Sequence, residues 1–131
     1  MHEQNNDRKI DLFLRVRPPE IARRISLIQE WVNSIDAKLE LVWAYNCVMY
    51  AFHKRNIMYF KIGNPNKVQI GFTEGSKLKN QNLLSGRDKQ FVRHFEITET
   101  PECKANFLIL VNEALKIAEV NKGLKLFSKQ K

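Results

Sequence analysis

The segment SGRDKQFVRHF at 85–95 holds the residues of this 131-residue chain that are best suited to bind an anion. Five cations lie in this segment and in the loop that precedes it: Lys77, Lys79, Arg87, Lys89 and Arg93. Asp88 is the one acidic residue among them, and Gly86 lets backbone N–H groups turn toward a ligand. We therefore predict that the loop at 75–93 binds a phosphate or a carboxylate. The alternative is a solvated loop whose cations keep the protein soluble.

Arg93 is predicted to lie on a strand among aromatic residues. Side chains alternate along a strand, so Arg93 shares a side with Phe91 and Phe95. A buried guanidinium needs a partner, so it lies among aromatic rings, reaches a carboxylate or lines a pocket. Together with aromatic residues of earlier strands it would form an aromatic-walled anion pocket. The alternative is that these aromatic rings are ordinary core. The predicted ligand-binding residues are Trp43, Tyr45, Tyr50, Arg87, Lys89 and Arg93.

The sequence shows no pattern typical of catalysis or of metal binding. Cys47 and Cys103 form no CxxC pair and have no histidine at metal-ligand spacing, so we predict two packed thiols. Neither His53 nor His94 has a serine or cysteine partner recognisable from spacing. We therefore predict a non-enzymatic protein without catalytic residues, metal ligands or a cofactor. Three grouped acids are predicted to be a solvated strand edge and loop: Glu96, Glu99 and Glu102.

The balance of charge narrows the class of partner. The net charge is +8 and the pI is near 9.7, which favours a small anionic ligand or an acidic protein partner. Nucleic acid is disfavoured, because RNP-like signatures and a βαβ order are absent. No apolar run approaches the roughly 20 residues of a membrane span, and the first residues lack the apolar core of a signal peptide. We therefore predict a cytoplasmic protein without a membrane partner, and make no prediction of its oligomeric state.

The hydrophobic pattern predicts helices at both ends of a set of strands. Pro18 and Pro19 begin an amphipathic helix whose apolar stripe is Ile21, Ile25, Ile28, Val32 and Ile35. Period-two alternation then predicts strands at 39–43, 68–72 and 90–97, and a hairpin at 47–52 and 57–62 is predicted from segments dense in β-branched and aromatic residues. Leu78, Leu83 and Leu84 are expected to anchor the connecting loop. A second helix with a wide apolar surface covers 104–120 and is expected to end at Gly123.

This element order predicts the fold class. Strands joined by short turns must be antiparallel, and two terminal helices can cover one face of the resulting sheet. We predict an α+β two-layer sandwich with about five strands and a free reverse face for recognition. The predicted domain limits are a flexible N-terminus at 1–9, a single domain at 10–122 and a basic tail at 123–131.

Three segments carry a resemblance to a known family. They are LELVWAYNCVMYAF at 39–52, VQIGFTEGSKL at 68–78 and LLSGRDKQFVRHFEI at 83–97. The chain resembles the YdhG-like family of small bacterial proteins over about residues 18–120, although Trp43-Ala44-Tyr45-Asn46 stands where the family has Trp-Gly-x-Pro. The resemblance implies a frataxin-like sandwich. It also implies an alternative function, intracellular iron binding or iron chaperoning, with iron expected by family analogy only.

Overall fold

Five antiparallel strands and three helices make up the part of the chain that the structure describes. In this computed structural model the backbone is described for residues 2–63, 67–86 and 91–130, and side chains for 6–63, 67–86 and 91–120. The elements are α1 (His2–Arg15), α2 (Pro19–Asn33), β1 (Leu39–Ala44), β2 (Cys47–Phe52), β3 (Arg55–Gly63), β4 (Lys67–Phe72), two 3₁₀ turns (Gly75–Lys77 and Gln81–Leu83), β5 (Arg93–Glu96) and α3 (Pro101–Gln130).

The sheet is a simple meander in which every strand pairs with its neighbours in sequence, in the order β1-β2-β3-β4-β5. Two-residue turns at Tyr45-Asn46 and His53-Lys54 connect the first three strands, and all four of these residues have positive φ. Such mirror-image turns match the right-handed twist of paired strands. The predicted α+β fold with a five-stranded antiparallel sheet is confirmed.

All three helices pack on one face of the sheet, which we call the packed face. Phe60, Ile70 and Phe95 occupy one row of it across the last three strands. Phe107 of α3 lies 6.4 Å from Phe95 and 5.7 Å from Trp31 of α2, measured between ring centroids. Phe13 of α1 lies 6.4 Å from Phe60. Full burial of such side chains contributes about 1.5–3 kcal/mol each, so this face supplies most of the stability.

The ends of the chain differ from the predicted domain limits. Residues 2–9, expected to be a flexible N-terminus, belong to α1, and this helix is anchored to the sandwich where Phe13 packs against Trp43 and Phe60. The predicted helix end at Gly123 is wrong, since α3 continues to Gln130. One glycine costs a helix only about 1 kcal/mol, which a long helix can absorb. Of the predicted basic tail, Lys131 lies outside the described residues.

The connecting loop is anchored to the core, and the strand that follows it is short. Leu78 is buried, and Leu83 and Leu84 are half-buried against the core, as predicted for the anchors of the connecting loop. The fifth strand is shorter than its predicted extent of 90–97, because pairing with β4 begins at Arg93, and Phe91 is exposed. In the described part of the chain, no helix combines the length and the hydropathy that a membrane span requires.

Candidate functional site

The structure does not form the predicted aromatic-walled anion pocket. Trp43 lies on β1 and Arg93 on β5, which are the two opposite edges of the sheet. Neighbouring strands are about 4.8 Å apart, so four strand steps separate these two residues by roughly 19 Å. The prediction that they meet is wrong, because a meander places the first and last strands as far apart as the sheet allows.

The three aromatic residues of that predicted pocket have separate environments. Tyr50 is buried on the packed face, 5.7 Å from the ring of Phe60, and burial raises the pKa of its hydroxyl. Tyr45 is exposed at the turn between β1 and β2. Trp43 packs edge-on against Phe13 of α1, and Lys9 lies 5.7 Å from the centroid of its ring. Tyr50 is therefore core, which was the alternative expected for these rings.

Arg93 is held between two glycines of the connecting loop. A Cβ on Gly75 would lie 2.5 Å from Arg93 Cβ, and one on Gly86 would lie 2.6 Å from Arg93 Cδ. The glycines are needed here so that the loop can close over the arginine stem. Arg93 shares the packed side with Phe95 as predicted, and its Nη1 donates to Val92 O at 3.0 Å. The other two predicted ligands of the loop, Arg87 and Lys89, lie outside the described residues.

The two remaining lysines of the predicted basic loop line an open groove beside α3. This α3 groove has a volume of about 540 Å³ and is lined by Lys77, Lys79, Asn80, Ile109, Glu113, Lys116, Ile117 and Val120. Ile109 and Val120 are 46% and 63% exposed, which is high for apolar side chains of this size. From Ile109 to Val120 the helix rises about 16 Å at 1.5 Å per residue. The groove is therefore elongated, with an apolar floor and basic sides.

Hydrogen bonds to one carboxylate fix the geometry of the groove. Glu113 accepts the backbone N–H of Lys79 and the side-chain amide of Asn80, both at 2.7 Å. These bonds tie the loop between the two 3₁₀ turns to the middle of α3. Both oxygens of the negatively charged Glu113 carboxylate are engaged in them. Charge-assisted bonds of this kind are stronger than neutral ones. The loop is thus held at a defined distance from the helix.

The electrostatics of the α3 groove favour an anion. Its lining contains three lysines and one glutamate. Lys77 lies 3.2 Å from Glu74 Oε1, but that oxygen also accepts from Arg55 at 2.8 Å. Within the described residues, neither Lys79 nor Lys116 forms an ion pair. Two ammonium groups beside an apolar floor are therefore available to a ligand, and nearby low-dielectric surface strengthens their attraction for it.

Sequence reasoning identified Lys77 and Lys79 but missed the groove itself. The missing residues are on α3, at spacings typical of one helical stripe: Ile109, Glu113, Lys116, Ile117 and Val120. This stripe lies beside the core stripe of Phe107, Val111, Ala114 and Ala118. The groove could have been predicted from the apolar surface of α3, which is wider than the area that one face of the sheet can cover.

The reverse face of the sheet carries a polar pair. Tyr59 and His94 share one row of this face with Gly71 between them. The ring of Tyr59 lies over Gly71, and the Tyr59 hydroxyl is 2.8 Å from Nε2 of His94. Burial, and to a lesser extent the nearby charge of Lys61, lower the pKa of His94. Burial and the neighbouring Cys47 raise the pKa of Tyr59.

The two cysteines are free thiols with separate environments. Cys47 donates to Phe60 O at 3.0 Å on the reverse face, and burial raises its pKa. Cys103 is buried near the start of α3, where its sulfur accepts the N–H of Thr98 at 3.2 Å. Among the described residues, the hydrogen bonds of both thiols are to backbone groups, and neither thiol bonds to a histidine.

The three acids that were predicted to form a solvated strand edge and loop have separate environments. Glu99 receives two bonds from Arg23, at 2.6 and 3.1 Å, and this hydrogen bonding lowers the pKa of the Glu99 carboxyl. Glu96 lies 3.6 Å from Lys67 across the strand pair, and Glu102 is exposed in the first turn of α3. Among the described residues, no three His, Cys, Asp or Glu side chains are grouped closely enough to hold a metal ion.

Comparison with known proteins adds no relative. No family model matches the chain, and neither does any curated protein or any solved structure. The resemblance to the YdhG-like family therefore stays a prediction from the segments at 39–52, 68–78 and 83–97.

Proposed function

We propose that the protein is a non-enzymatic binding domain whose α3 groove takes an acidic, partly apolar segment of a partner protein. The observation that carries this proposal is the pairing of an elongated apolar floor with Lys79 and Lys116, two lysines without an ion pair in the described chain. Grooves of this kind bind amphipathic segments through apolar anchors, and charges at the rim select the partner.

The shape of the groove favours a protein segment over a small molecule. Pockets for small ligands enclose most of the ligand surface. The α3 groove is open, with Ile109 and Val120 largely exposed, and its length of about 16 Å matches roughly three turns of a helical segment. A small anion could contact the ammonium groups but would leave the apolar floor uncovered. The predicted basic loop therefore contributes Lys77 and Lys79 to a surface for a longer ligand.

Location in the cytoplasm is part of the same proposal. Cys47 and Cys103 are both free thiols, which is typical of proteins in a reducing compartment. The alternative of iron handling has no specific support, because Glu99 and Glu96 pair with Arg23 and Lys67, and the described residues contain no group of three metal-binding side chains.

A defined peptide tests the proposal. The probe is a fluorescein-labelled amphipathic peptide of about twelve residues, with leucines on one face and glutamates on the other, and its anisotropy reports binding. We expect Lys79→Glu with Lys116→Glu to weaken binding at least about tenfold, because two attractive charges become repulsive. The matched control is Lys61→Glu with Lys104→Glu, which changes the net charge equally at exposed sites outside the groove.

The pattern of results distinguishes the possible occupants. Groove-specific loss, with the control variant within about threefold of the parent protein, supports the proposal. Equal loss in both variants would show that net charge alone attracts the peptide. A rise in melting temperature with citrate that depends on Lys79 and Lys116, without peptide binding, would replace the protein partner by a small anion.

A further inference from the structure

The two edge strands of the sheet differ in their backbone pairing. At the β5 edge, Ser85 exchanges two backbone hydrogen bonds with His94, at 2.9 and 2.8 Å, so the loop covers that strand. At the other edge, among the described residues, β1 pairs with β2 and with no second strand. An uncovered strand edge presents unpaired N–H and C=O groups, which can pair with another chain.

The turn after β1 determines which backbone groups face outward. Ala44 and Cys47 flank a two-residue turn, and in this hairpin type the flanking pair exchanges hydrogen bonds. Bonded and non-bonded pairs then alternate along the ladder. Leu39, Leu41 and Trp43 are in the non-bonded pairs, so their N–H and C=O groups point away from β2. We call the outward backbone of these three residues the β1 edge.

The β1 edge lacks the features by which strands avoid pairing. Its sequence, LELVWA, contains no proline and no lysine, and its register with β2 is continuous without a bulge. Glu40 is its one charged residue, and the side chain of Glu40 belongs to the reverse face with that of Val42. The helix-side residues Leu39, Leu41 and Trp43 are apolar.

An exposed apolar surface on α1 borders this edge. Lys9 and Leu12 of α1 and Val16, which directly follows the helix, are spaced as i, i+3 and i+7. The Val16 N–H still bonds to Leu12 O at 3.0 Å, so the three residues share one flank. Lys9 lies over the ring of Trp43, which shows that this flank is on the β1 side. Leu12 is 48% exposed and Val16 is 70% exposed. The open backbone and the apolar flank are independent observations that point to one interface.

We propose that a second copy of this chain pairs with the β1 edge, antiparallel and about a two-fold axis at Leu41. Leu41 then lies opposite the partner's Leu41, and Leu39 lies opposite the partner's Trp43. All three outward residues of each copy are bonded, and the sheets become continuous. A two-fold axis perpendicular to the sheet keeps both sets of helices on the same side, so the two α1 flanks approach one another.

The register follows from the residues of β1. A two-fold axis at Glu40 would place two carboxylates directly opposite, which is destabilising. An axis at Val42 would leave Leu39 of each copy without a strand partner. The axis at Leu41 avoids both problems and sets Glu40 opposite the partner's Val42 on the reverse face. In this register apolar side chains lie opposite one another on the packed face, and no like charges lie opposite one another on the reverse face.

Position 42 provides a test with a matched control. Val42→Glu places a carboxylate opposite the partner's Glu40 twice per dimer, whereas Val42→Lys places an ammonium there. Sedimentation equilibrium from micromolar to millimolar concentration at physiological salt should show a dimer of the parent protein. We expect the dimer of the Val42→Glu variant to have a dissociation constant about tenfold or more above that of the Val42→Lys variant. The reason is that the carboxylate repels the partner's Glu40 and the ammonium attracts it, and each dimer contains this pair twice.

A charge swap and hydrogen exchange complete the test. Glu40→Lys combined with Val42→Glu should restore dimerisation, and amide exchange at Leu39, Leu41 and Trp43 should slow as protein concentration rises. Circular dichroism checks that all variants fold. A monomer at every concentration overturns the proposal. So does a dimer that is indifferent to the charge at position 42, since it would use another surface.

Discussion

The packed face and the reverse face of the sheet are built from the same five strands but are held by different forces. On the packed face, Phe60, Ile70 and Phe95 meet the helices, and apolar burial dominates. On the reverse face, Tyr59 and His94 make one directed contact over the bare backbone of Gly71. Apolar burial on the packed face therefore sets the stability of this fold, while a few polar contacts order the reverse face.

The largest expected effect is on the packed face. Phe107→Ala removes a fully buried ring that touches Trp31 and Phe95, and should lower the free energy of unfolding by about 3–5 kcal/mol. Urea denaturation followed by circular dichroism measures it. The matched control is Ile109→Ala on the exposed side of the same helix, expected within about 1 kcal/mol of the parent protein. Similar losses in both variants would contradict the described packing of α3.

A smaller effect is expected from overpacking the reverse face. Gly71→Ala places a methyl group within the ring of Tyr59 and should cost about 1–3 kcal/mol of unfolding free energy. In a Tyr59→Ala background the same substitution should cost little, because the ring that it overlaps is gone. A double-mutant cycle in urea measures this coupling. Additive costs would show that the ring does not rest on Gly71.

The smallest effect is a pH dependence that originates at His94. Its pKa in the folded protein is below the ordinary value of 6.5, so the unfolded chain takes up the proton first as pH falls. The free energy of unfolding should therefore decrease as pH falls through 6.5 and level off below the folded pKa. An NMR titration of the imidazole measures that pKa directly.

A variant isolates the histidine contribution. His94→Gln keeps an acceptor for the Tyr59 hydroxyl but cannot titrate, and should remove this part of the pH dependence. A folded-state pKa of His94 at or above 6.5 would mean that the imidazole is better solvated than its contact with Tyr59 indicates.

The apolar patterns predicted the packed face. Ile21, Ile25, Ile28 and Val32 are buried as the helical stripe requires, and alternation together with β-branched and aromatic density located all five strands. These patterns are local, so one sequence suffices to recognise them. The same parity argument placed Arg93 beside Phe95. It also placed His94 on the opposite face, where it contacts Tyr59.

The candidate site could be predicted only in part, because it depends on distances between elements. Lys77 and Lys79 were recognised as basic, but their approach to α3 depends on Glu113, which is more than thirty residues away in sequence. Trp43 and Arg93 were grouped by parity alone, and parity says nothing about strand order. Gly86 was expected to expose N–H groups to an anion, whereas its observed role is close packing on Arg93.

Amide chemical-shift mapping with the acidic amphipathic peptide tests the central claim most directly. We expect the perturbed amides to cluster at Lys77, Lys79 and Asn80 and along α3 from Ile109 to Val120, with the amides of Tyr59, Gly71 and His94 unchanged. Perturbations centred on the reverse face, or spread over all exposed lysines, would contradict the assignment of recognition to the α3 groove.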